Sequence, residues 1–100
     1  MQYLIGVDLG TSGTKTVLFD VHGKEIASAL EEYPLYQPYN GWAEQEPEDW
    51  WNAAVNTIKA VISKSKVNPA EIAGLSLSGQ MHGLVLTDDN GKAPIGRAHV

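Results

Sequence analysis

The chain contains no cysteine among its 100 residues. This absence excludes a disulfide framework and a thiolate metal site. Basic residues are also few, because 7 lysines and arginines stand against 12 acidic residues and give a net charge of −5. Nucleic-acid-binding surfaces need clustered positive charge, so this balance argues against a nucleic-acid partner.

Long apolar runs are missing as well. No segment is long enough to span a bilayer, and the first residues contain neither a basic region nor an apolar segment of signal length. We therefore expect a soluble cytoplasmic protein with no membrane partner. Apolar residues still make up 43% of the chain, which is enough for the core of one small domain.

The most informative stretch is a small-residue turn near the N-terminus. The apolar run Ile5-Gly6-Val7 ends in the carboxylate of Asp8, and residues 14–19 predict a second strand. The segment between them contains two glycines and two hydroxyl residues, and a lysine follows shortly after: Gly10, Thr11, Ser12, Gly13 and Lys15. The pattern predicts a hairpin with a turn that can bind phosphate.

Each group in this turn has a physical reason to bind an anion. Glycines that adopt positive φ can expose backbone N–H groups to phosphate oxygens, hydroxyls add donors, and Lys15 adds positive charge. Asp8 is expected at the end of a buried strand, where it needs a cation or a donor beside it, and Mg²⁺ commonly accompanies a carboxylate near phosphates. A plain tight turn, in which Asp8 caps its own backbone, is the alternative.

The rest of the chain predicts an α/β fold. Residues 26–33 indicate a third strand, which would complete an antiparallel meander with the first two. Residues 72–78 predict a strand after the helix, and such a strand usually lies parallel to an earlier one. Residues 84–87 predict a further strand, and residues 88–91 a turn.

The predicted helix begins at Pro47 and ends before Asn68-Pro69. Proline suits the first helical turn, and apolar residues recur with a period of 3.6. Glu46, directly before the helix, is a weak N-cap residue. Three of the apolar residues are expected in the core: Trp50, Trp51 and Ile58.

A second polar motif follows the strand at residues 72–78. Two glycines bracket three dissimilar side chains, namely Gln80, Met81 and His82, at a strand end where open α/β sheets bind ligands. Gln80 and His82 can donate and accept hydrogen bonds, which suits a polyhydroxylated substrate. The residues alone leave open that Met81 is a core residue and that His82 bonds to the backbone of a turn.

Two other polar positions favour structural roles. The pair Glu44-Gln45 could be an acid/base site, but a solvated loop is the favoured interpretation. His99 is expected at the edge of a strand rather than as a ligand.

Residues 6–15 resemble the first phosphate motif of the sugar kinase, heat-shock ATPase and actin superfamily, in its carbohydrate kinase branch of glycerol, gluconate and xylulose kinases. Residues 79–83 are similar to the Gly-Gln-Met-His-Gly signature of the xylulose kinases, in which the Met-His pair contacts the ketose. Residues 41–51 resemble the Trp-x-Glu-Gln-Asp-Pro segment of the same branch, with Glu46 where aspartate is usual. The resemblance extends from residue 3 to about residue 95.

This resemblance implies a ribonuclease-H-like (actin-like ATPase) α/β fold, with a mixed sheet of three antiparallel strands, a crossover helix and further strands. Residues 1–100 would be the N-terminal part of the first lobe of a carbohydrate kinase that continues beyond residue 100. The catalytic base, a second phosphate loop and the adenosine pocket would lie in that continuation. The isolated segment is therefore expected to be inactive, and a homodimer is left open.

The resemblance also implies an activity, the phosphorylation of D-xylulose by ATP with Mg²⁺. Asp8 would be catalytic, either by holding Mg²⁺ or by orienting the transferring phosphoryl group. The ATP phosphates would be held by Gly10, Thr11, Ser12, Gly13 and Lys15. The sugar would be bound by Gln80, Met81 and His82.

Three alternatives stay open at this stage. The kinase could act on another sugar, polyol or sugar acid, because the first motif is shared across the branch. A chaperone ATPase or an actin-like filament protein uses the same hairpin but lacks the glycine-bracketed Gln-Met-His segment. A plain interaction domain without a ligand is the third.

Overall fold

The computed structural model describes residues 2–79 and 98–99. In chain order its elements are β1 (Tyr3–Leu9), β2 (Gly13–Asp20), β3 (Glu25–Glu32), β4 (Glu44–Gln45), α1 (Pro47–Ser65), a 3-10 turn (Pro69–Glu71), β5 (Ile72–Ser78) and β6 (Ala98–His99). Four strands form one sheet in the order β3-β2-β1-β5, and β4 pairs with β6 in a separate two-stranded ribbon.

The main sheet is mixed. β1 pairs antiparallel with β2, and β2 pairs antiparallel with β3, which confirms the predicted meander. β5 returns after the helix and pairs parallel with β1, with Ile5 opposite Leu75 and Asp8 opposite Ser78. The predicted parallel strand is therefore confirmed, and it ends beside Asp8.

The two faces of the sheet differ in character because side chains alternate along each strand. On one face, Ile5, Val7 and Leu18 are buried and form the core cluster with Val61 of α1. The neighbouring positions point to the other face, where Lys15 is exposed. The helix thus covers one face of the sheet, and the opposite face of β1 and β2 carries Asp8 and Lys15 together with the apolar Val17 and Phe19.

α1 begins and ends for local reasons. Pro47 occupies its first turn together with the acidic Glu48 and Asp49, which suit the positive end of the helix dipole. Glu46 is the N-cap residue and makes no side-chain capping hydrogen bond, in agreement with the weak cap expected. At the other end Lys66 adopts a left-handed conformation with φ 58°, and its N–H donates to the carbonyl of Ile62.

A pair of buried hydroxyls crosses the apolar interface between β2 and α1. The Oγ1 atoms of Thr16 and Thr57 lie 2.7 Å apart, and both side chains are almost fully buried. Thr57 also donates to the carbonyl of Ala53, one turn earlier in the helix. Since Thr57 has one hydroxyl proton, Thr16 is the donor of the shared bond.

The prediction that Trp51 belongs to the core is wrong. Its side chain is 67% exposed, whereas Trp50 and Ile58 are half-buried. The physical reason is the position of α1, which packs mainly on β2 and β3 and leaves the helix side toward β5 uncovered. Trp51 and Leu77 of β5 line an apolar groove of about 550 Å³ between these elements.

The predicted strand at residues 84–87 and the predicted turn at residues 88–91 lie outside the described residues. Within residues 2–79 and 98–99, no helix has the length and apolar character needed to cross a membrane.

Candidate functional site

The predicted hairpin turn is present between β1 and β2. The Gly10 N–H donates to the carbonyl of Gly13 over 2.9 Å and closes the turn. Thr11 and Ser12 form its tip, and both are exposed. The two hydroxyl residues are therefore accessible to a ligand.

The glycines of this turn serve a different purpose from the one expected. Positive φ occurs in the described residues at Gly23, Gly41 and Lys66, and neither Gly10 nor Gly13 is among them. A Cβ on Gly13 would instead approach the carbonyl oxygen of Glu31 to 2.7 Å. The expected left-handed glycines are wrong, and a close approach to β3 is the reason that a side chain does not fit at position 13.

Three successive carbonyl groups of the turn are held from inside the protein. The Tyr33 hydroxyl donates to the Gly10 carbonyl at 2.5 Å, and the Tyr33 N–H donates to the Ser12 carbonyl at 3.2 Å. Between them, Nε2 of Gln45 donates to the Thr11 carbonyl at 2.5 Å. Two residues far from the turn in sequence therefore fix its backbone.

These two residues are themselves held by neighbours. The Thr14 hydroxyl lies 3.1 Å from the Tyr33 hydroxyl, and it must donate because the tyrosine proton goes to Gly10. The Oε1 atom of Gln45 accepts from Nε1 of Trp50 at 3.1 Å. Gln45 and Thr14 are fully buried and Tyr33 is 9% exposed. A buried polar network therefore lies beneath the turn.

The ionisation of Tyr33 is shifted by the same surroundings. Burial raises the pKa of the Tyr33 hydroxyl above its ordinary value, and the negative charge of Asp8 raises it further, against a lowering by the Thr14 hydrogen bond. The hydroxyl is therefore protonated at neutral pH. In that state it can donate to the Gly10 carbonyl.

Asp8 and Lys15 lie directly opposite each other on β1 and β2. They are on the sheet face away from α1, where they line a depression of about 310 Å³ together with Ser76 and Ser78 of β5. Asp8 is exposed, so the expectation that it is buried, and needs a cation for that reason, is wrong. The exposed carboxylate of Asp8 is nevertheless close to the turn in the chain and accessible to a ligand.

A magnesium ion fits this carboxylate. Within residues 2–79 and 98–99, no three His, Asp or Glu side chains come together as a metal cage. Mg²⁺ keeps several waters and commonly binds through one or two carboxylates plus substrate phosphates. Asp8, next to a candidate phosphate turn, has the chemistry for that kind of site.

Gln80, Met81 and His82 lie outside the described residues. β5 ends at Ser78, opposite Asp8, so the chain enters this motif beside the first one.

The sequence analysis missed Tyr33 and Gln45. Gln45, expected in a solvated loop, is fully buried and pairs with Ala98 between β4 and β6. Its side-chain amide donates to a carbonyl 34 positions earlier in the chain, and no local sequence pattern predicts such a contact. His99 lies in β6, opposite Glu44, so its placement in a strand is confirmed.

The architecture defines the fold class of the protein. A meander of three antiparallel strands, followed by a helix and a strand parallel to the first, is the expected ribonuclease-H-like arrangement of the actin-like ATPases. A solved xylulose kinase from Lactobacillus acidophilus, in a ligand-bound form, superposes with a TM-score of 0.89 at 34% identity, over 99% of this chain and 19% of its own. The expected fold class is thus confirmed.

The family follows from the sequence. Residues 3–100 match the N-terminal domain of the FGGY family of carbohydrate kinases, and the chain belongs to this family. It is 47% identical over 90 residues to a xylulose kinase of Bacillus subtilis, covering 90% of this chain and 18% of the relative. It is also 34% identical over 99 residues to a glycerol kinase of Pediococcus pentosaceus, covering 99% of this chain and 20% of the relative.

The chain therefore spans about a fifth of the length of the relatives that it matches, 18% and 20% for the two just named. Carbohydrate kinases are phosphotransferases, and this chain matches the N-terminal domain of their family.

Proposed function

We propose that the intact protein transfers the γ-phosphoryl group of ATP to D-xylulose and releases D-xylulose 5-phosphate. Residues 1–100 are the N-terminal part of its first lobe and supply one phosphate turn and part of the sugar site. The observation that carries this proposal is the exposed Thr11-Ser12 turn, fixed beside Asp8 and Lys15 at one end of the sheet. A cytoplasmic location is part of the proposal.

The turn binds the phosphates of ATP. The backbone N–H of Gly13 and the hydroxyls of Thr11 and Ser12 donate to phosphate oxygens, and Lys15 adds a positive charge nearby. The N–H of Gly10 contributes indirectly, because it bonds to the Gly13 carbonyl and closes the turn. Phosphoryl transfer depends mainly on positioning and on neutralising charge. A turn whose backbone is already fixed suits that task.

Asp8 acts at the reacting phosphate. Mg²⁺, when bound, neutralises charge on the phosphate oxygens. Asp8 would hold that ion, or it orients the phosphoryl group directly. Its exposure on the same sheet face as Lys15 supports this role.

The reaction balances in a single displacement. A terminal hydroxyl of the sugar forms the new O–P bond while the bond between the γ-phosphorus and the bridging oxygen of ADP breaks. The hydroxyl proton passes to a carboxylate outside this segment, which acts as the base. Closure of two lobes excludes water, which would otherwise hydrolyse ATP.

The sugar is positioned by Gln80, Met81 and His82. Two observations support D-xylulose as the substrate. Residues 79–83 are similar to the xylulose kinase signature, and the sequence is 47% identical over 90 residues to a protein named xylulose kinase. A glycerol kinase is similar too, over almost the whole chain, so another polyol is the second candidate.

The test is a panel of sugars and polyols, assayed for ATP-dependent phosphorylation by the intact protein. We expect the highest kcat/KM with D-xylulose and a requirement for Mg²⁺. Preferred phosphorylation of glycerol or of a sugar acid would transfer the assignment to that substrate. A protein that phosphorylates none of them would refute the proposed activity.

A further inference from the structure

We propose that Tyr33 and Gln45 are positioning residues for the turn at Gly10–Gly13. By binding three successive carbonyls on the inner side of the turn, they direct the N–H groups of the same three peptides outward, to the phosphate of a nucleotide. The inference rests on the proposed function, because it takes the anion to be a phosphate of ATP.

The direction of these N–H groups follows from peptide geometry. The described peptide bonds are trans. In a planar trans peptide the C=O and the N–H point in opposite directions. The carbonyls of Gly10, Thr11 and Ser12 point to Tyr33 and Gln45. The N–H groups on the same three peptides belong to Thr11, Ser12 and Gly13, and each points away from the donor of Tyr33 or Gln45 that binds its carbonyl.

Without the two residues, the tip of the turn would have a second conformation. The hairpin bond between Gly10 and Gly13 closes the turn but does not itself hold the peptide between Thr11 and Ser12 against rotation. Such a rotation would exchange the directions of its C=O and N–H. The bond from Gln45 to the Thr11 carbonyl holds this peptide in one orientation.

The orientation of the Gln45 amide is fixed in turn by Trp50. An indole N–H can only donate, so the atom that faces Nε1 of Trp50 must be the amide oxygen. The amide nitrogen is then directed to the Thr11 carbonyl. Trp50 therefore determines which end of Gln45 meets the turn.

Burial makes both contacts hard to replace. Gln45 is fully buried and Tyr33 is 9% exposed, so bulk water does not reach the inner side of the turn as a substitute donor. A carbonyl that loses its donor there is left unsatisfied. Removing either donor should disturb the turn more than it disturbs the rest of the domain.

The experiment uses four variants of the intact protein. Tyr33→Phe removes the hydroxyl that binds Gly10. Gln45→Glu keeps an oxygen for Trp50 but places a second oxygen against the Thr11 carbonyl. Thr57→Val, at the buried interface between α1 and β2, is a control for lost stability. Tyr3→Phe, at the end of β1 away from the turn, is a control for the loss of a tyrosine hydroxyl. For each variant we measure KM for ATP, KM for the sugar, and the thermal unfolding temperature.

We expect Tyr33→Phe to raise KM for ATP about fivefold, the factor of one net hydrogen bond, and Gln45→Glu to raise it further. KM for the sugar should stay unchanged. Thr57→Val should lower the unfolding temperature and leave KM for ATP unchanged, because it touches no part of the turn. Tyr3→Phe should behave like the wild type in both Michaelis constants.

A wild-type KM for ATP in both Tyr33→Phe and Gln45→Glu would overturn the inference. So would an equal rise of this constant in Thr57→Val. If Gln45→Glu does not fold, Trp50→Phe takes its place, since it frees the amide to turn, and it must also raise KM for ATP. Failure of the wild type to bind ATP would appear before any variant is made and would refute the proposed function itself.

Discussion

Asp8 and Lys15 lie opposite each other on adjacent antiparallel strands, both exposed on the sheet face away from α1. Residues opposite each other in such a pair project from the same face, with Cβ atoms about 5 Å apart. A carboxylate and an ammonium group thus flank one end of the turn at Gly10–Gly13. In the sequence Asp8 and Lys15 are seven residues apart, and the antiparallel pairing of β1 and β2 brings them next to each other.

The first prediction concerns Asp8. In the intact protein, Asp8→Ala should lower kcat about 100-fold, the scale of losing one charge-stabilising group, and change the affinity for the sugar much less. Steady-state kinetics at saturating sugar would measure this. Turnover within a few-fold of the wild type would show that the role given to Asp8 is wrong.

The second prediction separates the two motifs. His82→Ala should raise KM for the sugar and leave KM for ATP nearly unchanged, because the segment at residues 79–83 is assigned to the sugar. His22→Ala, in the exposed turn after β2, is the matched control and should change neither constant. An effect of His82→Ala confined to ATP would reassign the segment to the nucleotide.

The third prediction is a pH dependence from Tyr33. Its pKa is raised in the folded protein, chiefly by burial, so the folded state holds the proton more tightly than the unfolded chain does. The contribution to stability is fully present below the unfolded pKa of about 10 and is lost as the pH rises through the higher folded pKa. Tyr33→Phe should therefore show a smaller loss of thermal stability between neutral and alkaline pH than the wild type. An unchanged alkaline loss in this variant would contradict the burial of an ionisable hydroxyl at this position.

The fourth prediction concerns the hydroxyl pair of Thr16 and Thr57. Thr57→Val removes the acceptor of the Thr16 hydroxyl and should cost about 2 kcal/mol of stability, since a buried donor is left unpaired. Thr16→Val should cost less, because Thr57 keeps its bond to the Ala53 carbonyl. Adding Thr16→Val to Thr57→Val should then recover part of the loss. Chemical denaturation of the three variants measures these differences, and strictly additive costs would show that the two hydroxyls do not interact.

The parts of the fold that depend on local signals were predictable. Residues 72–78 were expected as a strand and form β5 with those bounds. The helix was expected from Pro47 to just before Asn68-Pro69 and extends from Pro47 to Ser65. Proline, helical periodicity and short apolar runs act within a few residues, so a single sequence contains them.

The parts that depend on distant contacts were not predictable. Trp51 fits the apolar period of the helix as well as Ile58 does, and its exposure follows from the position of α1 over β2 and β3 rather than over β5. In the sequence, Gln45 resembles an ordinary polar loop residue and Tyr33 the last residue of the predicted third strand. Their role depends on carbonyls 34 and 23 positions away, which only the folded chain brings to them.

The contact between Gln45 and the Thr11 carbonyl also has a consequence for the order in which the domain assembles. The hairpin of β1 and β2 is local and can form early, whereas Gln45 reaches it only when the segment before α1 is docked. We therefore expect the turn to acquire its final shape only after the surrounding tertiary structure has formed. Affinity for an anion should accordingly emerge as a late event of folding, and the excised hairpin should lack it.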